Sequence, residues 1–346
     1  MPHVNTAVAA IGVDLGDTYC HYCSIGDSGE PMEEGRVAMT PKAMTKAFGV
    51  FEPTRIAIEA GAQSRWVAQL LEELGHEVIV ANPRQVKLIS NNQSKNDVND
   101  ARLLAKLARV DRSLLSPLEH RGEQEQTTLL SIRARAQLVK SRVALMHSLR
   151  GMVKCFGIRL PHSTSEQFLE RCRVCVPEPI LRHLEGIFTI IQDLSQQIAQ
   201  YDELIERIAV EQYPAVQYLQ RVPGVGTLTA LTYVVTIADP GRFTKSRMAG
   251  AFLGLRPRQQ QSGGQNPQLA ITKAGDVYLR KLLVQSAHCI LSARGQDSAL
   301  KRWGMKLCER GGANAKKRAI VAVARKLAVL LHKLWVSRSV YQPFPA

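Results

Sequence analysis

The chain has 346 residues, 45% of them hydrophobic, and a formal net charge of +15. That length accommodates two or three cores, and the composition excludes a disordered chain. No run approaches the roughly 20 apolar residues of a membrane helix, and Asp14 cuts the first apolar run short for a signal peptide. A cytoplasmic protein with no membrane partner is therefore expected.

The charge is unevenly placed. Residues 211–346 hold 21 Lys and Arg against 5 Asp and Glu, which leaves 24 and 25 for residues 1–210. A near-neutral front and a strongly basic back suggest that one module meets a polyanion, most commonly nucleic acid. Seven cysteines include two Cys-x-x-Cys pairs, Cys20/Cys23 and Cys172/Cys175. Zinc would require them to converge with further His or Cys; reduced, mostly buried thiols are the better reading.

The first hundred residues alternate strand and helix signals. Val8–Asp14 is an apolar run ending on an acid, Tyr19–Gly26 alternates, and Gly35–Met39 follows the turn-rich Gly26–Pro31. A helix over Pro41–Phe48, a strand Arg55–Glu59, a helix Gln63–Leu74 ended by Gly75, a strand His76–Ala81 and a helix opened by Pro83 come next. A three-strand meander followed by alternating helix and strand is an α/β pattern in the order of the RNase H-like, Holliday-junction-resolvase-like fold. A doubly wound nucleotide-binding sheet would place a helix between the first two strands.

From about Gly122 the pattern is helical. Leu129, Ile132, Ala136, Val139, Val143, Met146 and Val153 form one seam, with Arg150 interrupting it. Ile187, Ile191, Leu194, Ile198, Tyr201, Ile205 and Ile208 form a cleaner one, the spacing of a coiled coil or a long helical hairpin. Whether that pairing lies within one chain or between two is open. Three segments are expected: an α/β catalytic domain over 1–118, a helical coiled-coil segment over 119–212, and a mostly α-helical basic domain over 213–346.

Asp14 closes the first strand and Glu59 the fourth, so neighbouring strands would bring both to one sheet edge. Ser94 and Asp97 have the spacing of a capping box. Asp97 and Asp100, three apart, share a helix face with Ala101, Leu104 and Ala108. Carboxylates on such an apolar stripe are costly unless a cation neutralises them, and four hard oxygen donors suit Mg²⁺. The plainer alternative makes Asp97 and Asp100 helix-start acids favoured by the dipole. Gly12-Val13-Asp14-Leu15-Gly16-Asp17-Thr18 also looks like the first phosphate loop of actin-like ATPases, but no second such loop follows.

In the basic third, Arg221-Val222-Pro223-Gly224-Val225-Gly226 has the form of a helix-hairpin-helix turn, where backbone N–H groups meet a phosphate. An ordinary interhelical turn is the alternative. Ser262-Gly263-Gly264 reads as a mobile loop flanked by Arg256, Arg258, Lys273 and Arg280. A serine attacking a phosphate would need such freedom and such cations, although Ser-Gly-Gly is also a common loop.

At these residues the chain resembles the DEDD-type transposases of the insertion sequence 110 family. Asp14, Glu59, Asp97 and Asp100 fall on that family's four acids, its helix motif is matched by Asn96-Asp97-Val98-Asn99-Asp100-Ala101-Arg102, and Pro223-Gly224-Val225-Gly226, Gly254-Leu255-Arg256-Pro257 and Ser262-Gly263 match its C-terminal module. Gly311 to Ala319, with Lys316 and Lys317, looks like the insertion sequence 1111 branch. The resemblance implies Mg²⁺ at the four acids and a phosphoserine at Ser262. DNA contacts would come from Gly224, Gly226, Arg256, Arg258, Lys273, Arg280, Lys316 and Lys317. It further implies donor and target DNA, a structured non-coding guide RNA, and a homodimer that forms a tetramer on DNA, with a composite active site between protomers. Two other readings stand beside it: a metal-dependent junction nuclease using water, and a non-catalytic DNA-binding protein.

Overall fold

The computed structural model describes residues 8–84, 86, 96–265, 267 and 269–344. Contacts divide the chain into two compact units, Met1–His120 and Arg121–Ala346.

The first unit is built on strands β1 (Ala10–Leu15), β2 (Tyr19–Ile25), β3 (Pro31–Ala38), β4 (Arg55–Glu59) and β5 (Glu77–Ala81). They lie in the order β3-β2-β1-β4-β5, with β1–β2 and β2–β3 antiparallel and β1–β4 and β4–β5 parallel. Alternation along each strand divides the apolar residues between two layers. Ile11, Val13, Ile56 and Ile58 pack on α1 (Pro41–Phe48) and α2 (Ser64–Glu73). Ala10, Cys23, Ala57 and Ala81 face α3 (Asp97–Val110) through Ala101, Leu104, Ala105 and Ala108. Such a five-stranded sheet with helices on both faces is consistent with an RNase H-like domain. The helix expected from Pro83 is helical at Pro83, Arg84 and Val86 and otherwise lies outside the described residues.

Helix α3 lies unusually close to the sheet because small residues meet there. A Cβ at Gly12 would stand 2.1 Å from the Ala101 carbonyl oxygen and 2.4 Å from the Ala105 nitrogen. Both obstacles are backbone, so the helix itself would have to move. Gly12→Ala is therefore expected to destabilise the protein by about 2–3 kcal/mol, the usual scale of core overpacking. Urea unfolding of the variant against the parent measures this; a change under about half a kcal/mol would mean that the helix yields freely.

In the second unit, α4 (Glu123–Met152) and α6 (Glu178–Gln212) form a long antiparallel pair within one chain. Contacts across it run in opposite senses: Gln124 meets Gln212, Arg135 meets Asp202, and Arg142 meets Ser195. Its far end has its own core of Met146, Leu149, Phe168, Cys172, Phe188 and Ile191, which includes the short α5 (Phe168–Cys175). Arg150, the interruption in the seam, donates to the Leu160 and Pro161 carbonyls (2.9 and 3.0 Å) and so ties down the connecting segment. The α4 seam is not continuous: Val143 is 38% exposed.

The near end of the pair shares a core with the rest of the unit. Leu129, Ile132, Ile205 and Ala209 pack in one cluster with α7 (Ala215–Leu219), α8 (Thr227–Ile237), α10 (Val277–Leu291) and α12 (Ala315–Ser337). Between α8 and α10 lies α9 (Arg247–Phe252), and α11 (Ala299–Cys308) precedes α12. The Tyr233 hydroxyl donates to the Ala328 carbonyl (2.6 Å) at the centre of this core. All seven cysteines are free. Cys20 and Cys23 pack in the two opposite layers of the sheet, so that pair does not converge on a metal.

Candidate functional site

Parallel pairing of β1 and β4 puts Val13 beside Ile58, and the next residue on each strand is an acid, Asp14 and Glu59. Both residues alternate onto the layer that receives α3, because Gly12 and Ala57, two positions earlier, face that helix. Asp97 and Asp100 stand in the first turn of α3. The Asn96 side chain caps this helix by accepting from the Val98 N–H (3.2 Å). This differs from the expected capping box: Asn96, immediately before Asp97, is the N-cap, and Ser94 lies outside the described residues. Arg102, one turn on, forms a bidentate pair with Glu34 of β3 and holds the helix in register with the sheet.

Burial first, and then the charges of Asp97, Asp100 and Glu59, push the Asp14 carboxyl up to about 6, against a smaller lowering by His21. Asp14 thus senses the charge of the other three acids. Among the described residues no three His, Cys, Asp or Glu side chains are drawn into a ready coordination shell. The donor set nonetheless fits a hard divalent cation. It consists of carboxylate oxygens, and Asp14 among them stands in an unfavourable negative potential that such a cation would relieve.

His21 joins this edge and was not among the residues singled out by sequence. It pairs with Asp14 across β1–β2, and its Nδ1 lies 3.6 Å from Asp97 Oδ2. The one signal available was strand alternation, which places His21 on the same layer as Cys23 and Ile25.

The other expected residues belong to the second unit. Residues 254–258 pair with residues 270–273 as the two strands of an arm, a feature absent from the reading of Ser262-Gly263-Gly264 as a mobile loop. Lys273 N–H donates to the Gly254 carbonyl (3.0 Å), Thr272 N–H to Arg256 (2.9 Å) and Arg258 N–H to Ala270 (2.9 Å). Ser262 stands at the exposed tip, where it pairs with Gln265 across Gly263 and Gly264, both at positive φ (51° and 81°). Ser262 is therefore the first residue of a tight hairpin turn rather than part of a shapeless loop. Arg256, Arg258 and Lys273 are exposed along the arm. Arg280 is different: it is 9% exposed, and its Nη1 donates to the Leu253 and Ala274 carbonyls (3.0 and 2.7 Å). A buried guanidinium so engaged faces the protein, unlike the exposed cations of the arm.

The Pro223–Gly226 turn leads into α8, with Gly226 as N-cap. Gly224 has φ +84°, and a Cβ there would stand 3.1 Å from the Ser286 carbonyl oxygen, so close packing on α10 accounts for this glycine. Lys316 and Lys317 are exposed in the first turn of α12. That turn holds no acid to complement the helix dipole.

Two family models match the chain in tandem. Residues 11–157 match a DEDD-type transposase model of the IS110 group, described simply as a transposase, and residues 216–303 match the transposase IS116/IS110/IS902 family. The chain belongs to the IS110 family of transposases. Among its relatives is the transposase for insertion sequence element IS1111A of Coxiella burnetii, 28% identical over 97% of this chain and 92% of that protein. The transposase for insertion sequence element IS1328 of Yersinia enterocolitica is also 28% identical, over 86% of this chain and 88% of its own length. A probable family 20 transposase of Pseudomonas aeruginosa is 29% identical over the same shares. The first IS110-family match spans all four acids, and the second spans Gly224, Gly226, the Ser262 arm and Arg280.

Proposed function

We propose that the protein is a site-specific DNA recombinase of an insertion sequence, cutting and rejoining DNA through a phosphoserine at Ser262 with a divalent cation, Mg²⁺, at the acid edge. The observation that supports this reading is that Asp14 and Glu59 end neighbouring parallel strands on the sheet face that receives α3, whose first turn carries Asp97 and Asp100. The cation, when bound, would polarise a phosphodiester and stabilise the oxygen that departs. Asp14 and Glu59 would hold it from the strand ends, and Asp97 and Asp100 from the helix. Ser262 would exchange one phosphate ester bond for another. Its hydroxyl gives up a proton, the departing sugar oxygen takes one up, and rejoining reverses both, so no external energy source is required. Arg256, Arg258 and Lys273, exposed along the same arm, would steady the phosphate charge.

The excess of 21 Lys and Arg over 5 Asp and Glu in residues 211–346 suits donor and target DNA and a structured guide RNA. Guidance by RNA, and a homodimer assembling into a tetramer on DNA, rest on the family resemblance. The deciding experiment incubates the protein with labelled DNA of both kinds and RNA from the element's flanks. A strand that runs slowly on a denaturing gel until protease is added is the expected product. Plain metal-dependent cleavage without it would favour a junction nuclease using water, since all four acids lie in the first unit and Ser262 in the second.

The cations of α12 give a separate expectation. Replacing Lys316 and Lys317 by Gln should lower the slope of log affinity against log salt by up to about 2, near one for each phosphate no longer neutralised. Filter binding of duplex DNA at several salt concentrations measures it, and an unchanged slope would remove both from the interface. A fragment for such work must begin at Arg121 rather than Tyr213, because Leu129, Ile132, Ile205 and Ala209 complete the core.

A further inference from the structure

The Ser262 arm is secured at its base by an unusual device. Arg280, 9% exposed on α10, donates from one nitrogen to the Leu253 and Ala274 carbonyls (3.0 and 2.7 Å). Those two residues lie just outside the arm's first rung, Gly254 with Lys273, one on each strand. The strands cross there with almost no space between them. A Cβ at Gly254 would stand 2.2 Å from the Ala274 nitrogen, and one at Gly275 would stand 2.2 Å from the Phe252 carbonyl oxygen. Both glycines have φ of +70°.

We propose that Arg280 is a positioning residue for Ser262, holding both strands of the arm at their root so that the serine at the tip keeps one orientation. The inference rests on the reading of Ser262 as the nucleophile. A buried guanidinium bears a desolvation penalty that Leu or Met would not, so its use here is geometric: one rigid group joins two carbonyls on separate strands. Leverage supplies the reason. Ser262 lies eight positions beyond Gly254, a reach of roughly 26 Å for extended chain. A tilt of about 4° at the root would therefore displace the tip by about 2 Å, when a misplacement of about 1 Å already costs on the order of 100-fold in rate. The root is in turn referred to the long helical pair. Asp276, the N-cap of α10, lies 3.8 Å from Arg133 of α4, and the neighbouring Tyr278 shares Arg135 with Asp202 of α6.

The test compares full-length parent, Arg280→Met, Arg280→Lys and Ser262→Ala, each with labelled donor and target DNA and RNA from the element's flanks. Arg280→Met is expected to retain DNA within about twofold, because the side chain faces the protein and not phosphate. Amide exchange at Arg258, Thr272 and Lys273 should quicken by at least about tenfold as the root loosens. The rate of adduct formation should fall by about 100-fold in kcat with KM little changed. Arg280→Lys, with a cation but no fork, should recover part of both. Parental adduct formation despite faster exchange would overturn the proposal, as would unchanged exchange. A loss of DNA retention in step with the adduct would make Arg280 a phosphate contact instead. Should Arg280→Met fail to fold, the same readings on soluble Arg280→Lys decide the matter. An adduct that persists in Ser262→Ala would defeat the nucleophile assignment alone, and exchange would still report whether Arg280 holds the arm.

Discussion

Ser262→Ala is expected to abolish the covalent protein–DNA adduct and the joined product, a loss of at least about 1,000-fold, as for removal of other enzymatic nucleophiles. The substitution removes one hydroxyl from an exposed turn and leaves the rest of that turn in place. Gly263 and Gly264 keep their positive φ, and the rungs from Gly254/Lys273 to Arg258/Ala270 are backbone bonds. Retention of DNA and RNA should be unchanged, since no cation is touched. A labelled strand on a denaturing gel, with and without protease, reads the result. If the alanine variant still yields a protease-sensitive slow band, another residue attacks the phosphate. If neither protein yields one while cleavage is plain, a water-using nuclease is the better description.

Asp14→Asn should reduce strand cleavage by at least about 1,000-fold, by removing one of four proposed cation ligands. It should also make the protein more stable at neutral pH. The Asp14 carboxyl is pushed up to about 6 from an ordinary 3.8, first by burial and then by the neighbouring acids. Between those values the folded chain holds a proton that the unfolded chain has released. The stability this contributes is full below about pH 4, declines as pH rises, and is gone above about pH 6. Asparagine is neutral throughout, so the variant should match the parent near pH 4 and exceed it at pH 7. The excess is about 1–2 kcal/mol once partial solvent screening is allowed for. Mg²⁺ should raise the melting midpoint of the parent at pH 7 and do so much less for the variant. Cleavage at the parental rate would end the assignment of Asp14 to the cation, and a less stable variant at pH 7 would contradict the account of its burial.

Much of the first unit was legible before folding. Helix α1 and strand β4 fall on the expected residues, Pro41–Phe48 and Arg55–Glu59. Alternation and turn residues are local signals, and here they agree with the fold. The cap of α3 was displaced to Asn96 because an Asx side chain directly before the first helical residue satisfies the exposed N–H groups without a reciprocal box. Ser262-Gly263-Gly264 reads as a mobile loop in sequence because the flanking strands lack an apolar alternation. Their pairing is held by backbone rungs and by Arg280, which pattern does not report.

What the sequence determined by itself was chemistry and direction: which residues are acids, where strands end, where the basic charge lies, and which helices carry an apolar seam. Each of these is a property of a residue or of a short period along the chain. Tertiary structure alone decided which of them meet. It set β1 beside β4 in parallel, so that Asp14 and Glu59 share an edge, and added His21 from β2. It closed the long helices on each other within one chain, where heptad spacing serves either pairing. It also turned Arg280 inward to a pair of carbonyls, while Arg256 and Arg258 remained outside. The physical reason is common to all three. Contacts between residues distant in sequence depend on register, close approach and burial, and these are set by the packing of whole elements rather than by any one residue's preference.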